Sequence, residues 1–382
     1  LQVTQELRLS STTDAPLQWQ LGLYYFYEDL TVDSFNFDTL AGGVLNGVAE
    51  QQQETDALAA FGSIDYAFTD RLSGRIGLRV SRDDKDFVAQ RTLSPVGAGP
   101  TPLLRASPDA TEYSWDASLT YAASPDVNVY GRLARGFRAP SVQGRLLFGD
   151  TVSVADTETV FSGEFGIKAM LFDERFRANA AAYAYNIDDQ QLTAVGGQAN
   201  FNRLVNADST AGRGVEVDLE AFVNDALTVT AGASYNYTKI DDPTLAIQPC
   251  GAPCTVLDPP GAQPGTVSID GNRLPHAPRW VANVTARYAV PFRGGELFAF
   301  TDWAYRSEVN FFLYDSVEFR GESLLEGGIR IGYAWDFGDQ EFVFYGRNIT
   351  NRIRAVGGID FNNLTAFLNE PRPWGAQYIR RF

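Results

Sequence analysis

Hydrophobic and polar residues alternate one by one along most of this chain, and the alternation breaks at regular intervals. Val215, Val217, Leu219, Ala221 and Val223 alternate with Glu216, Asp218 and Glu220. Leu227, Val229, Ala231, Ala233, Tyr235 and Tyr237 alternate with Thr228, Thr230, Gly232, Ser234 and Asn236. Trp115 to Tyr121, Trp280 to Tyr288 and Leu325 to Trp335 read the same way. A period of two places successive side chains on opposite faces of a strand. The pattern predicts about 15 strands, centred near Glu6, Gly22, Gly62, Gly77, Ser118, Gly131, Gly166, Ala181, Val217, Gly232, Thr285, Phe300, Ile329, Phe344 and Tyr378.

Two features set these strands apart from those of a soluble sandwich. They run about 10 to 14 residues, whereas ordinary strands average about 5 to 6. Aromatics gather at their ends and small aliphatics in the middle, and the opposite face is charged. A soluble fold buries one face in a dry core; here the apolar face suits lipid with interfacial girdles, and the polar face a wet lumen. The connections alternate between short and long. Short ones centre on Thr12-Thr13-Asp14, Thr69-Asp70-Arg71, Ser124-Pro125-Asp126, Asp173-Glu174-Arg175, Asn224-Asp225, Arg293-Gly294-Gly295 and Gly338-Asp339-Gln340. Long ones are expected near 31–54, 85–111, 138–158, 189–208, 240–278, 307–319 and 351–373. The fold class is therefore all-β: a transmembrane antiparallel β-barrel meander with tight periplasmic turns and long outer loops.

Composition refines this picture. The chain has 382 residues and a formal net charge of -16, which argues against a nucleic-acid partner. No run approaches about 18 consecutive apolar residues, so no transmembrane helix is expected. A mean hydropathy of -0.18 fits a membrane barrel, because the two alternating faces cancel. The first residues, LQVTQELRLSS, lack the basic start and apolar core of a signal peptide and already read as a strand. No nucleophile, phosphate-loop or dinucleotide motif stands in a strand–turn–helix context, so neither catalytic residues nor a cofactor is expected. The carboxylates Asp83, Asp84 and Asp86, and the pair Asp188 and Asp189, lie where strands leave the membrane and read as solvated loop charge. Glu216, Asp218 and Glu220 are expected to face the lumen opposite Arg75, Arg79, Arg287 and Arg330.

Several stretches resemble the TonB-dependent receptors of Gram-negative outer membranes. Val129 to Ser141 ends in Gly136-Phe137-Arg138-Ala139-Pro140-Ser141, similar to that family's G-F-R-A-P-S strand exit. Gly163-Glu164-Phe165-Gly166-Ile167-Lys168 resembles its E-x-G-x-K hairpin, and Gly212-Arg213-Gly214-Val215-Glu216 its G-x-G-x-E strand start. Leu274-Pro275-His276-Ala277-Pro278 resembles its L-P-x-x-P return. The ending resembles it too: Asn348-Ile349-Thr350-Asn351, then Pro371-Arg372-Pro373-Trp374-Gly375, then a terminal Phe382, with Arg380 where an aromatic is usual. The resemblance implies a barrel of 22 strands with a plugged lumen. Residues 1–382 then correspond to the C-terminal portion of the barrel domain, about 15 of the expected 22 strands. The plug and the first strands are absent, and the first and last strands run in the same direction. It further implies the cell outer membrane, a lipid surround, a TonB complex contacted through the missing plug, and energised uptake of a scarce nutrient such as a siderophore. A passive porin or ligand channel is the alternative, and a soluble β-rich binding protein a second one.

Four residues are candidates for ligand contact. Arg138 either fixes its strand–loop junction or faces the lumen. Phe311, Phe312 and Tyr314 either grip a ligand or seal a loop against its neighbours. Cys250 and Cys254, the only cysteines, are expected to form a disulfide in the longest outer loop, since an exported chain meets an oxidising compartment. No metal site is expected: His276 is the single histidine and lies over twenty residues from the cysteines. Mass spectrometry of unreduced peptides should find Cys250 and Cys254 linked; two free thiols would refute this.

Overall fold

A computed structural model describes residues 1–12, 15–197, 201–360 and 363–381. Its main body is one antiparallel meander. The strands are β1 (Gln2–Ser10), β2 (Leu17–Asp38), β3 (Val44–Thr69), β4 (Leu72–Leu93) and β5 (Asp109–Ser124). Then come β6 (Val127–Arg138), β7 (Glu158–Leu171), β8 (Phe176–Gly196), β9 (Phe201–Asn224) and β10 (Leu227–Ile240). The last five are β11 (Trp280–Phe292), β12 (Gly295–Arg306), β13 (Leu324–Trp335), β14 (Gln340–Gly346) and β15 (Trp374–Arg380). Each pairs with its sequence neighbours, and all fifteen contain the centres predicted from the alternation. Among the described residues no ladder joins β1 to β15, so the sheet has two open edges. Thr13, Asp14 and Phe382, singled out in the sequence, lie outside the described residues.

Strand lengths depart from expectation. They run from 7 to 26 residues, and β2 and β3 form a hairpin whose ladder extends from Leu17↔Tyr66 to Asp38↔Val44. The long loop expected at 31–54 shrinks to 39–43. There Asp38 accepts from the backbone N–H of Leu40 and Ala41 at 3.0 Å each, and Gly42 and Gly43 adopt φ 78°. Likewise β4 runs on to Leu93, and β8 and β9 leave only 197–200 between them. These stretches, such as Glu50-Gln51-Gln52-Gln53-Glu54, are polar on both faces, which reads as loop where one face must meet lipid. Above the membrane both faces meet water, and backbone pairing across an existing ladder continues without an apolar side.

Side-chain orientation follows the alternation. On the apolar face Leu21, Leu58, Leu119, Phe165, Val215 and Ile331 are all exposed. A cleft of about 1000 Å³ lies largely on this face between Leu119, Leu133 and Phe165. It is lined by Gly131, Gly163 and Ala182 and suits acyl chains rather than polar ligands. On the polar face, Arg75 pairs with Asp65 (3.1 Å), Arg177 with Glu220 (2.7 Å) and Arg287 with Glu296. Tyr130 Oη donates to Glu164 at 2.5 Å, and the hydroxyls of Thr230 and Thr285 lie 2.6 Å apart across the β10–β11 ladder. Tyr183 and Tyr185 stack at 6.3 Å on this face and lie over their cross-strand partners Gly214 and Gly212. A Cβ on Gly212 would stand 2.0 Å from the Tyr185 ring, so only glycine admits this packing.

Above the wall one guanidinium organises the first loop cluster. Arg91 on β4 is 1% exposed and donates to the carbonyls of Gly99 (2.9 Å), Leu146 (2.9 Å) and Gly149 (2.8 Å) and to Asp150 Oδ1 (2.5 Å). It ties 94–108 to 139–157 beside an apolar cluster of Phe87, Ala89, Leu146 and Leu147.

Two predictions follow from these placements. Arginine at Ala231 or Ala286, mid-strand on the apolar face, should cost about 2–4 kcal/mol, whereas arginine at Thr230 or Thr285 should cost little. Denaturant titration of the refolded protein in bilayers reads the difference; equal costs within each pair would reverse the facing. Arg91→Leu should destabilise the first loop cluster by about 3 kcal/mol or more, since several buried carbonyls lose their charged donor. Hydrogen exchange across 139–157 should accelerate while the membrane strands stay protected.

Candidate functional site

The second and larger loop cluster is built like the core of a small soluble domain. Loops 241–279, 307–323 and 347–373 carry the short paired segments Ala246–Ile247 with Val267–Ser268, Val309–Asn310 with Arg320–Gly321, and Ala355–Asp360 with Leu364–Leu368. Their apolar residues point inward, against the tops of β8, β9 and β10. Leu192, Val205, Ile240, Ile269, Val309, Phe311, Leu313, Tyr314 and Phe319 are all buried there. Loops of irregular backbone leave N–H groups without ladder partners, and buried groups of that kind must find acceptors. Carboxylates supply them.

Asp360 is the central acceptor. It is 1% exposed and accepts from the backbone N–H of Gly251 (2.8 Å) and from Tyr314 Oη (2.9 Å). Gly251 lies inside the ring closed by the Cys250–Cys254 disulfide, whose Cα atoms are 6.3 Å apart. One carboxylate thus joins all three loops. Burial pushes its pKa up, against the pull of its donors. The Tyr314 hydroxyl is also pushed up, by burial first and then by the adjacent carboxylate. Asp258 is raised by burial although it accepts from Asp315 N–H (2.7 Å) and Asn272 Nδ2 (3.0 Å). At Asp242 burial pushes upward, but donors from Asp208, Thr244 and Leu245 outweigh it and the pKa falls.

The aromatic candidates all belong to this cluster. Phe311 is 5% and Tyr314 1% exposed; Phe312 stacks on Tyr314 at 5.4 Å and meets Phe319 edge-on at 4.8 Å. His276 stacks on Phe311 at 5.5 Å. In this arrangement the rings pack against other loop side chains. Arg138 belongs to a different junction. It is exposed at the end of β6, in register with Glu158 of β7. Gln191 bridges that junction, donating to the carbonyls of Ala139 (2.8 Å) and Asp156 (2.9 Å).

Sequence reasoning passed over Asp360, Asp258 and Arg91. Arg91 continues the alternation of Phe87 and Ala89 on one face of β4, a signal visible only if the strand is followed beyond the membrane. Asp360 follows the apolar Ile359 in a stretch read as loop, and its partners are 46 and 109 residues away in sequence.

The polar face of the wall bears two adjoining clefts. One, of about 760 Å³, lies under loop 347–373 and is lined by Asp302, Glu326, Arg330, Arg347 and Glu370. The other, of about 590 Å³, lies nearer the tight turns, among Arg287, Glu296, Arg330, Glu341 and Arg381. Both are wet, mixed-charge surfaces suited to polar recognition. Among the described residues no group of three His, Cys, Asp or Glu side chains is placed to hold a metal ion.

Comparison with known proteins agrees with this geometry. The family described as TonB dependent receptor-like, beta-barrel matches residues 2–351. The ferric yersiniabactin uptake receptor FyuA from Yersinia pestis superposes with a TM-score of 0.79 at 18% identity, over 100% of this chain and 54% of that one. The ferric-catecholate import receptor Fiu from K12 E. coli gives 0.70 at 15% identity, over 99% of this chain and 54% of that one. The siderophore receptor PiuA from Acinetobacter baumannii gives 0.69 at 14% identity, over 99% and 55%. The chain thus spans about half the length of these solved structures, and at such identities they speak for the fold alone. The sequence match across most of the chain, on a wall with one apolar and one polar face, settles the family: the chain belongs to the TonB-dependent receptor-like β-barrels of the Gram-negative outer membrane.

Proposed function

We propose that this chain is the C-terminal part of a receptor barrel that takes up a scarce nutrient with energy from TonB, and that the nutrient is a ferric siderophore. The observation that carries the reading is the three-loop cluster joined at Asp360. A general diffusion channel needs an open mouth; here the outer loops form a packed body of their own beside the wall. The open edges β1 and β15 support further strands in the whole protein, because unpaired backbone groups in hydrocarbon cost several kcal/mol each. A plug inside the polar face, N-terminal to these strands, is the matching expectation for TonB contact.

The ligand reading rests on chemistry at the loops. With one His, one Met and both Cys in a disulfide, these residues offer few soft donors, so the wall would meet iron through its chelator. Arg138, exposed, and Phe312, half-buried, are the proposed contacts, a cation and a ring for an anionic, aromatic chelate. This barrel segment has no proposed catalytic role.

Uptake of labelled ferric siderophores by cells carrying the full-length receptor tests the reading. Saturable uptake that vanishes without TonB is expected, with Arg138→Gln weakening binding about tenfold through loss of a charge-assisted contact. Unsaturable passage of small solutes, indifferent to TonB, would establish a passive channel instead.

A further inference from the structure

The tight turns of the barrel differ in charge. Among the described residues, the turns 69–72, 124–127, 171–176, 224–227 and 335–340 all carry at least one aspartate. The turn 292–295 carries none; its centre is Arg293-Gly294. Arg293 adopts φ 47° and Gly294 φ 80°. A two-residue hairpin with both centres at positive φ favours Asn, Asp or Gly, so an arginine is held there in a backbone region that side chains of its size rarely occupy. Tyr333 holds the turn: its Oη donates toward the carbonyls of Phe292 and Arg293, 3.1 Å from each.

The Arg293 guanidinium forms no ion pair or hydrogen bond among the described residues and stands 5.3 Å from the centre of the Phe292 ring. It faces a cleft of about 490 Å³ lined also by Tyr333, Trp335, Asp336 and Gln340. Tyr333 and Trp335 stack at 5.7 Å, and Tyr378 extends the row at 6.2 Å from Trp335. This aromatic row lies on the apolar face, the one on which Ile331 is exposed. Asp336, which also lines the cleft, accepts at Oδ2 from Gln340 Nε2 at 3.2 Å. Arg293 and Asp336 line one cleft yet form no ion pair within 4.0 Å. A cation and an anion thus share one aromatic-lined cleft without pairing, beside a tight turn where headgroups meet the barrel.

We propose that this cleft binds the headgroup of a zwitterionic phospholipid of the periplasmic leaflet, with its phosphate at Arg293 and its ammonium at Asp336. The guanidinium fork suits phosphate oxygens. An ammonium gains from a carboxylate and from the indole face of Trp335. The acyl chains then run up the wall over Leu297 and Ile331, both exposed there. An anionic headgroup fits less well, because it has nothing to offer Asp336.

Native mass spectrometry of the full-length receptor, released from bilayers of equal phosphatidylethanolamine and phosphatidylglycerol, tests this. Wild type should retain phosphatidylethanolamine in preference. Arg293→Gln should lower the retained amount about fivefold, as expected for one interfacial cation. Arg71→Gln, on another turn, should leave it unchanged. Asp336→Asn should shift retention toward phosphatidylglycerol, a change of sign that misfolding cannot imitate. If Arg293→Gln loses the heat-modifiable mobility of a folded barrel, the Asp336→Asn ratio decides alone. Equal retention of both lipids by wild type, undiminished phosphatidylethanolamine on folded Arg293→Gln, or an unchanged ratio in Asp336→Asn would each overturn the proposal.

Discussion

Hydrocarbon offers no partner to a backbone N–H or C=O, and the pairing of these groups across neighbouring strands is what everything else here depends on. Once fifteen strands pair antiparallel, their side chains must alternate between two faces, and a slip of one residue would exchange those faces. That requirement aligns Thr230 with Thr285 and Glu220 with Arg177 on the polar side, and Leu219 with Ala231 on the apolar one. It also explains why the ladder outlasts the membrane. Extending an existing ladder costs little even where neither face is apolar, so β2 and β3 run 22 and 26 residues.

The molecule solves the hydrophobic problem twice, with opposite signs. In the wall, leucines such as Leu21, Leu58 and Leu119 point outward because the solvent there is lipid. In the loop clusters the same residue type points inward because the solvent is water. The two regimes meet near the ends of β8, β9 and β10, where outward-facing wall gives way to buried Leu192, Val205 and Ile240. Polar atoms change role with them. In the wall, ion pairs lie along a wet surface; in the loops, Asp360, Asp258 and Arg91 serve as substitutes for missing backbone partners.

Much of the wall was legible in the sequence, because lipid imposes a residue-by-residue rule that a single chain displays. All fifteen strand centres follow from it, as do the tight turns that fall on described residues. The strand ends were less legible. In Glu50 to Glu54 and in Gln190-Gln191-Leu192 the alternation carries no lipid signature, and only pairing with a neighbour already in place makes them strand. The loop clusters were least legible. Asp360 gains its meaning from Gly251 and Tyr314, groups distant in sequence, and no local pattern marks such a meeting. The aromatic run at Phe311, Phe312 and Tyr314 was visible as a feature, but its packing partners were not.

The rings that lie over glycine bring a consequence of another kind. Tyr185 over Gly212, Tyr183 over Gly214, Phe61 over Gly22 and Phe298 over Gly332 are each made of two positions on adjacent strands. Neither member is free to vary alone: a Cβ at the glycine collides with the ring, and loss of the ring bares a glycine that gives its strand nothing to pack. Each couple is therefore one heritable unit. Across relatives such positions should drift together, the ring and the glycine trading strands or vanishing in step, so that the register of the wall is written in paired substitutions.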